Sequence, residues 1–242
     1  MVIRDRNIMT VSGGFFIIDE EILEQMQSLY EIISQLQDPE LIDALEGYIA
    51  ANLPEFKTIV AAHPLKNPKG GHCSMTEAFW LYHLCKSLQP QLVIESGSLQ
   101  GYSLYFLRAA APGRVLSFDP YRKPIIPLDG IEYSACDWTE HDFGDVPDCT
   151  LAFFDDHIHQ GDRVRQCKQR GVRHAIFHDN YLRPDQSHIP LRYANLLGLI
   201  QRQFIFPRIR SDKIFIDRSV NSQGYRWLTY VEIIIEREAN AN

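Results

Sequence analysis

The sequence predicts an α/β fold, a Rossmann-like, doubly wound and mostly parallel sheet with an antiparallel C-terminal strand pair and an N-terminal helical extension. Three observations predict it. Short apolar runs of strand length recur with helical segments between them. Five of these runs deliver an acid at or just past their end: Glu95, Asp119, Asp137, Asp155 and Asp179. The first run also breaks into a glycine-bearing turn that opens a helix. At 242 residues the chain is one domain with an extension, long enough to bury about three-quarters of its unfolded surface.

Along the chain, Ile22, Met26, Leu29, Ile33 and Leu36 fall at helical spacing within Ile18 to Gln37, which reads as an amphipathic helix. Asp38-Pro39-Glu40 starts a second helix, with Pro39 in the first turn, where no amide donor is needed. Residues 1–62 form the expected helical extension or cap. Its readings are packing against the sheet, capping of the site, or pairing with a second copy in a homo-oligomer. Residues 63–242 form the sheet domain. His63 to His72 is a Pro- and Gly-rich loop, in which Gly71 and His72 are candidates for ligand contact. Ser74-Met75-Thr76-Glu77 then fits a capping box at a helix start.

Leu92-Val93-Ile94-Glu95 is read as a buried strand, Ser96 to Gly101 as a tight turn, and Tyr102-Ser103 as a helix N-terminus. Gly97 takes conformations closed to residues with a Cβ, Gly101 lets the helix lie close to whatever fills the turn, and free N–H groups there face a ligand. A second run, Arg114 to Phe118, ends at Asp119, 24 residues after Glu95, where an acid accepts hydrogen bonds from ribose hydroxyls. Ile131 to Ala135 is a short strand closed by Cys136-Asp137. Thr150 to Phe154 runs into Asp155-Asp156-His157, and Arg173 to Phe177 into His178-Asp179-Asn180. Ligands of open parallel sheets bind beyond these strand ends. Further on, Leu191 to Ile200 reads as a helix, while Phe204–Phe206, Lys213–Ile216 and Trp227–Ile235 read as strands. Tyr225 and Trp227 are either pocket lining or core.

The spacing Glu-x-Gly-x-x-x-Gly-x-Ser departs from Gly-x-Gly-x-x-Gly, which counts against NAD. It resembles the first motif of class I S-adenosylmethionine-dependent methyltransferases, particularly small O-methyltransferases. The resemblance implies that Glu95 lies near the methionine end of the cofactor and Asp137 near the adenine amino group. Glu95, Gly97, Ser98, Gly101, Ser103, Asp119, Asp137 and Asp155 are then the candidate cofactor contacts. Phe-Phe-Asp-Asp-His followed by Phe-His-Asp-Asn resembles the metal-dependent O-methyltransferases of the catechol and macrocin types. It implies Asp155, Asp179 and Asn180 as ligands of Mg²⁺ or another hard divalent cation, which suits oxygen donors. It also implies a base just beyond the first ligand. His157 and Asp156 are both candidates, His157 because a neutral imidazole accepts a hydroxyl proton near neutral pH.

The activity implied is methyl transfer from S-adenosylmethionine to a hydroxyl of a small molecule, a sugar or secondary metabolite. Alternatives are a cephalosporin hydroxylase-like protein of the same fold, a nicotinamide-dependent oxidoreductase, which the glycine spacing disfavours, and a binding module without catalysis. A net charge of −7, with no basic tract to balance it, disfavours nucleic acid as partner. The arginines between Asp162 and Arg173 read as a solvated helix face. No apolar run reaches the roughly 20 residues of a membrane span, and Met1 to Arg6 carries no signal-peptide core, so the expected location is cytoplasmic. Cys73, Cys85, Cys136, Cys149 and Cys167 are odd in number and read as reduced thiols, without the spacing of a zinc site.

Overall fold

A computed structural model describes residues 8–11, 14–17, 39–66, 73–120, 127–178, 191, 196, 198–206, 208–209, 216–217 and 228–236. Outside them lie the predicted helix at 18–37, the loop positions Gly71 and His72, the expected metal ligands Asp179 and Asn180, and Tyr225 and Trp227.

The described chain opens on an antiparallel hairpin, β1 (Ile8–Val11) with β2 (Gly14–Ile17), where the sequence predicted only helix for the extension. α1 (Pro39–Ala62) follows, with Pro39 at its first position. It is not an isolated arm, because Ile49 and Phe56 are buried in one core with Phe79, Trp80 and Phe106. α2 (Met75–Leu88) begins with the predicted capping box: Glu77 N donates to Ser74 Oγ, and Ser74 N donates to Glu77 Oε2 at 2.6 Å.

The main sheet begins with β3 (Leu92–Ser96), followed by α3 (Tyr102–Ala110), β4 (Arg114–Phe118) and β5 (Ile131–Ser134). β6 (Thr150–Phe154), α4 (Gln160–Arg170) and β7 (His174–Phe177) come next. β8 (Ile200–Ile205) and β11 (Thr229–Ile233) finish it, with a small separate pair, β9 (Arg208–Ile209) and β10 (Ile216–Asp217), between them in sequence. The order across the seven strands is β5-β4-β3-β6-β7-β11-β8. The first five are parallel, and β11 runs antiparallel to both β7 and β8.

β3 and β6 are buried at every position, as expected of central parallel strands. Their side chains alternate between two cores. Val93 and Phe153 face the side of α1, α2 and α3, while Ile94 and Phe154 face the side of Val164 and Cys167 on α4. The predicted helix to Ile200 is corrected at its end, because Ile200 begins β8. The strand starts four residues before Phe204. Gln201, Arg202 and Gln203 are tolerated because β8 is an edge strand with exposed positions, so no apolar run announces it. All five cysteines are free. No helix among the described residues is long and apolar enough to cross a membrane.

Candidate active site

The turn between β3 and α3 is built by three residues with positive φ, namely Gly97 at 92°, Leu99 at 44° and Gly101 at 80°. A Cβ on Gly97 would stand 2.5 Å from the Asp155 carbonyl carbon and oxygen and 2.7 Å from Asp156 N. The turn therefore lies directly against the loop that follows β6. Gly97 N donates to Phe118 O and Asp155 N to Ser96 O, extending the parallel ladder to the strand tips. Asp119 reaches across and accepts from Leu99 N at 3.0 Å. Ser98 Oγ is buried and has no hydrogen-bond partner among the described residues, a donor and acceptor that water or a ligand must satisfy. Beneath the turn, Glu95 is fully buried and accepts from Ser103 Oγ at 2.6 Å and Ser117 Oγ at 3.4 Å.

The next two acids meet a partner that the sequence reading placed in solvent. Arg163 is 1% exposed. Its guanidinium takes both oxygens of Asp137, at 2.6 and 3.1 Å, and Asp156 Oδ2 at 2.9 Å from Nε. Burial works against the charge of Asp137, and the bonds from Arg163 and Thr139 outweigh it, taking this carboxyl down to about 2. Asp137, expected at the adenine, is thus held by a buried guanidinium and by Thr139, whose N–H and hydroxyl both bond to Oδ1. Asp156, one of the two candidate bases, accepts from Ser96 Oγ at 2.6 Å as well as from Arg163. Its other oxygen accepts from Ile158 N at 3.2 Å.

That last bond spans His157, which sits at φ 55° with an exposed side chain. An Asx-turn of this kind supports a left-handed residue, and the strain is of the sort that gathers at functional sites. A hollow of about 180 Å³, partly open to solvent, lies between the β6 tip, His157, Ile158, Gln160 and His178. Gln160 is buried and donates to His178 O while accepting from Leu191 N, which closes the floor between α4 and β7.

Asp155 is the expected metal ligand that falls among the described residues. Its Oδ1 lies 2.6 Å from His178 Nδ1, and His178 Nε2 lies 3.0 Å from Glu77 Oε1. Burial opposes the imidazolium, but the two carboxylates outweigh it and hold His178 well above its ordinary range. Glu77 thus serves the helix cap with one oxygen and His178 with the other. No group of three His, Cys, Asp or Glu side chains among the described residues is arranged to hold an ion. A carboxylate already facing a charged imidazole does not suit a hard dication.

No protein-family model matches the sequence, and no curated protein matches it either. Solved structures do align with it. The tRNA (m1A58) methyltransferase TrmI from Aquifex aeolicus superposes at a TM-score of 0.52 and 11% identity, over 75% of this chain and 76% of that one. The O-methyltransferase TomG from Streptomyces achromogenes, solved in complex with SAM, superposes at 0.50 and 15%, over 81% and 98%. Cofactor-bound Rv0187 from MTB gives 0.50 and 16%, over 77% and 91%. The chain has the S-adenosylmethionine-dependent methyltransferase fold. At these identities the fold is what is shared.

Within this methyltransferase fold the structure brings Glu95, Gly97, Ser98, Gly101, Ser103, Asp119, Asp155, Asp156 and His157 to the tips of β3, β4 and β6. Sequence reasoning missed Arg163 and the second use of Glu77. The signal for Arg163 was its place in the stripe Gln160, Arg163, Val164, Cys167, all buried on α4, at the i, i+3, i+4, i+7 spacing of an inward face.

Proposed function

We propose that the chain transfers a methyl group from S-adenosylmethionine to a hydroxyl of a small molecule. The observation that carries this is the β3–α3 turn on this fold. It is a glycine cradle that a Cβ would fill, with the unpartnered Ser98 hydroxyl inside it and Asp119 at the next strand tip. These residues fit the cofactor. Asp119 would accept from the ribose hydroxyls, Ser98 and the N–H groups opening α3 would meet polar atoms in the turn, and Glu95 lies beneath its methionine end. When bound, S-adenosylmethionine supplies the activated methyl carbon.

The chain's residues then hold the acceptor and take its proton. His157 is the base of this proposal, because its ring is exposed beside the hollow while Asp156 is committed to Arg163, Ser96 and Ile158 N. The exposed Ile158 gives the acceptor an apolar wall. As the acceptor oxygen bonds to the methyl carbon, its proton passes to the imidazole and the carbon–sulfur bond breaks, leaving S-adenosylhomocysteine. The donors described do not fit a dication, so no step uses one. TomG is named an O-methyltransferase and supports the oxygen acceptor. TrmI acts on tRNA, and the net charge of −7 supports a small molecule over a polyanion here.

The test is calorimetric titration of the full chain with S-adenosylhomocysteine. Micromolar binding is expected, weakened at least tenfold by Asp119→Ala, about the 1.4 kcal/mol of a lost charged hydrogen bond. Failure to bind at millimolar concentration overturns the proposal.

A further inference from the structure

We infer that binding of the cofactor at this site is coupled to release of one proton from Glu95. The inference rests on the reading that the site takes S-adenosylmethionine or its product. Glu95 is 0% exposed and its partners are hydroxyls, Ser103 Oγ from α3 and Ser117 Oγ from β4. The charged groups that face it from the neighbouring elements are acids, Asp155 at the β6 tip and Asp119 at the β4 tip. The Cys73 thiol ahead of α2 and the Tyr133 phenol on β5 also lie within its field, and both are neutral acids. No lysine, arginine or histidine among the described residues counters it.

A carboxylate in that position bears its full desolvation cost and the repulsion of two other carboxylates. Burial, reinforced by Asp155 and Asp119 against the two serine hydroxyls, lifts Glu95 to about 8. At neutral pH it is a carboxylic acid. Ionising it requires a cation from elsewhere. The strand order places the crevice where the chain reverses direction, between β3 and β6. With the sugar at Asp119 on the β4 side, the amino-acid end of the ligand extends over Glu95. That end carries an ammonium group in S-adenosylhomocysteine, and an ammonium and a sulfonium in S-adenosylmethionine. The arriving cation stabilises the carboxylate, the O–H bond of Glu95 breaks, and the proton leaves to water. No electrons are transferred.

The experiment titrates the full chain at pH 7 with S-adenosylmethionine, S-adenosylhomocysteine and 5′-methylthioadenosine, the nucleoside that lacks the amino acid. Each titration is run in phosphate and in Tris, whose different ionisation heats count the protons released. About 0.9 proton is expected for both amino-acid ligands and none for methylthioadenosine, since a group titrating near 8 is protonated in about nine molecules of ten at pH 7. Affinity for S-adenosylhomocysteine rises about tenfold from pH 6 to 7 and levels off above 8. Glu95→Gln removes both effects and leaves methylthioadenosine binding within about twofold, which also shows that the variant folds.

Binding of S-adenosylhomocysteine without proton release, or equal release from Glu95→Gln, overturns the inference and leaves the methyltransferase reading standing. If the variant does not fold, the contrast between S-adenosylhomocysteine and methylthioadenosine on the native chain decides. Absence of binding by all three ligands overturns both.

Discussion

Replacing Gly97 by alanine strikes the cradle where it has least room. At φ 92° an L-residue bears about 1–2 kcal/mol of backbone strain. The new methyl would stand 2.5 Å from two backbone atoms of Asp155 and 2.7 Å from Asp156 N, where ordinary contact begins at 3.4 Å. No rotamer relieves a clash with main chain, so the loop after β6 must move by nearly 1 Å. Overpacking of that kind costs about 1–3 kcal/mol. Together the two effects come to roughly 4 kcal/mol, or about 8–16 °C in midpoint for a chain of this size. Urea denaturation followed by tryptophan fluorescence measures the first and a thermal melt the second. Binding of S-adenosylhomocysteine should fall with them, because the turn and Asp156 shift together. A loss below about 1 kcal/mol with affinity retained would refute the tight seat of the turn against that loop.

Three further substitutions test other parts of the structure. Arg163→Met leaves Asp137 and Asp156 facing each other without their cation and should cost about 3–5 kcal/mol, as removal of one partner of a buried pair does; denaturation that moves by less than 1 kcal/mol would show the network to be dispensable. His157→Gly removes the left-handed strain from an exposed side chain and should raise stability by about 0.5–1 kcal/mol, while methyl transfer is lost; a destabilised variant would show that the imidazole serves packing. His83 is buried among Tyr48, Phe56, Phe79 and Tyr82, with Nε2 unpartnered among the described residues, and burial depresses it to about 4. The folded state therefore binds its proton later than the unfolded chain, so the stability it contributes is whole above about pH 6.5 and is lost as pH falls towards 4. His83→Phe should flatten that part of the pH–stability curve, and a curve of unchanged slope would mean that other groups set it.

How much was legible follows from where each signal is stored. β3 and β4 match their predicted runs because a buried parallel strand is apolar at successive positions. The capping box of α2 was readable because Ser74 and Glu77 interact within one turn. β8 was read four residues late, since an edge strand carries Gln201, Arg202 and Gln203 without penalty. The β1–β2 hairpin pairs only four residues on each side, too few for a period to emerge. Arg163 was misread because charge dominates the impression of its helix, and what makes its burial tolerable, Asp137 and Asp156, sits 26 and 7 residues away. Glu77's second partner, His178, is likewise a fact of tertiary packing that no local pattern encodes.

The same long-range contacts explain how two loops far apart in sequence act as one body. Ser96, the last residue before the cradle, gives its hydroxyl to Asp156. Asp156 also takes Arg163 and, through its other oxygen, the Ile158 N–H that closes the turn around His157. Gly97 meanwhile leaves no gap between the cradle and the Asp155 carbonyl. A displacement of the cofactor turn is therefore transmitted to the imidazole, and the reverse holds as well. Methyl transfer is an in-line displacement whose rate depends on the approach of oxygen to carbon within a few tenths of an ångström. Fixing donor cradle and base to one carboxylate supplies that alignment before either ligand arrives. On this reading Asp156 works by position and not as the base, which is why its three hydrogen bonds all point to protein groups.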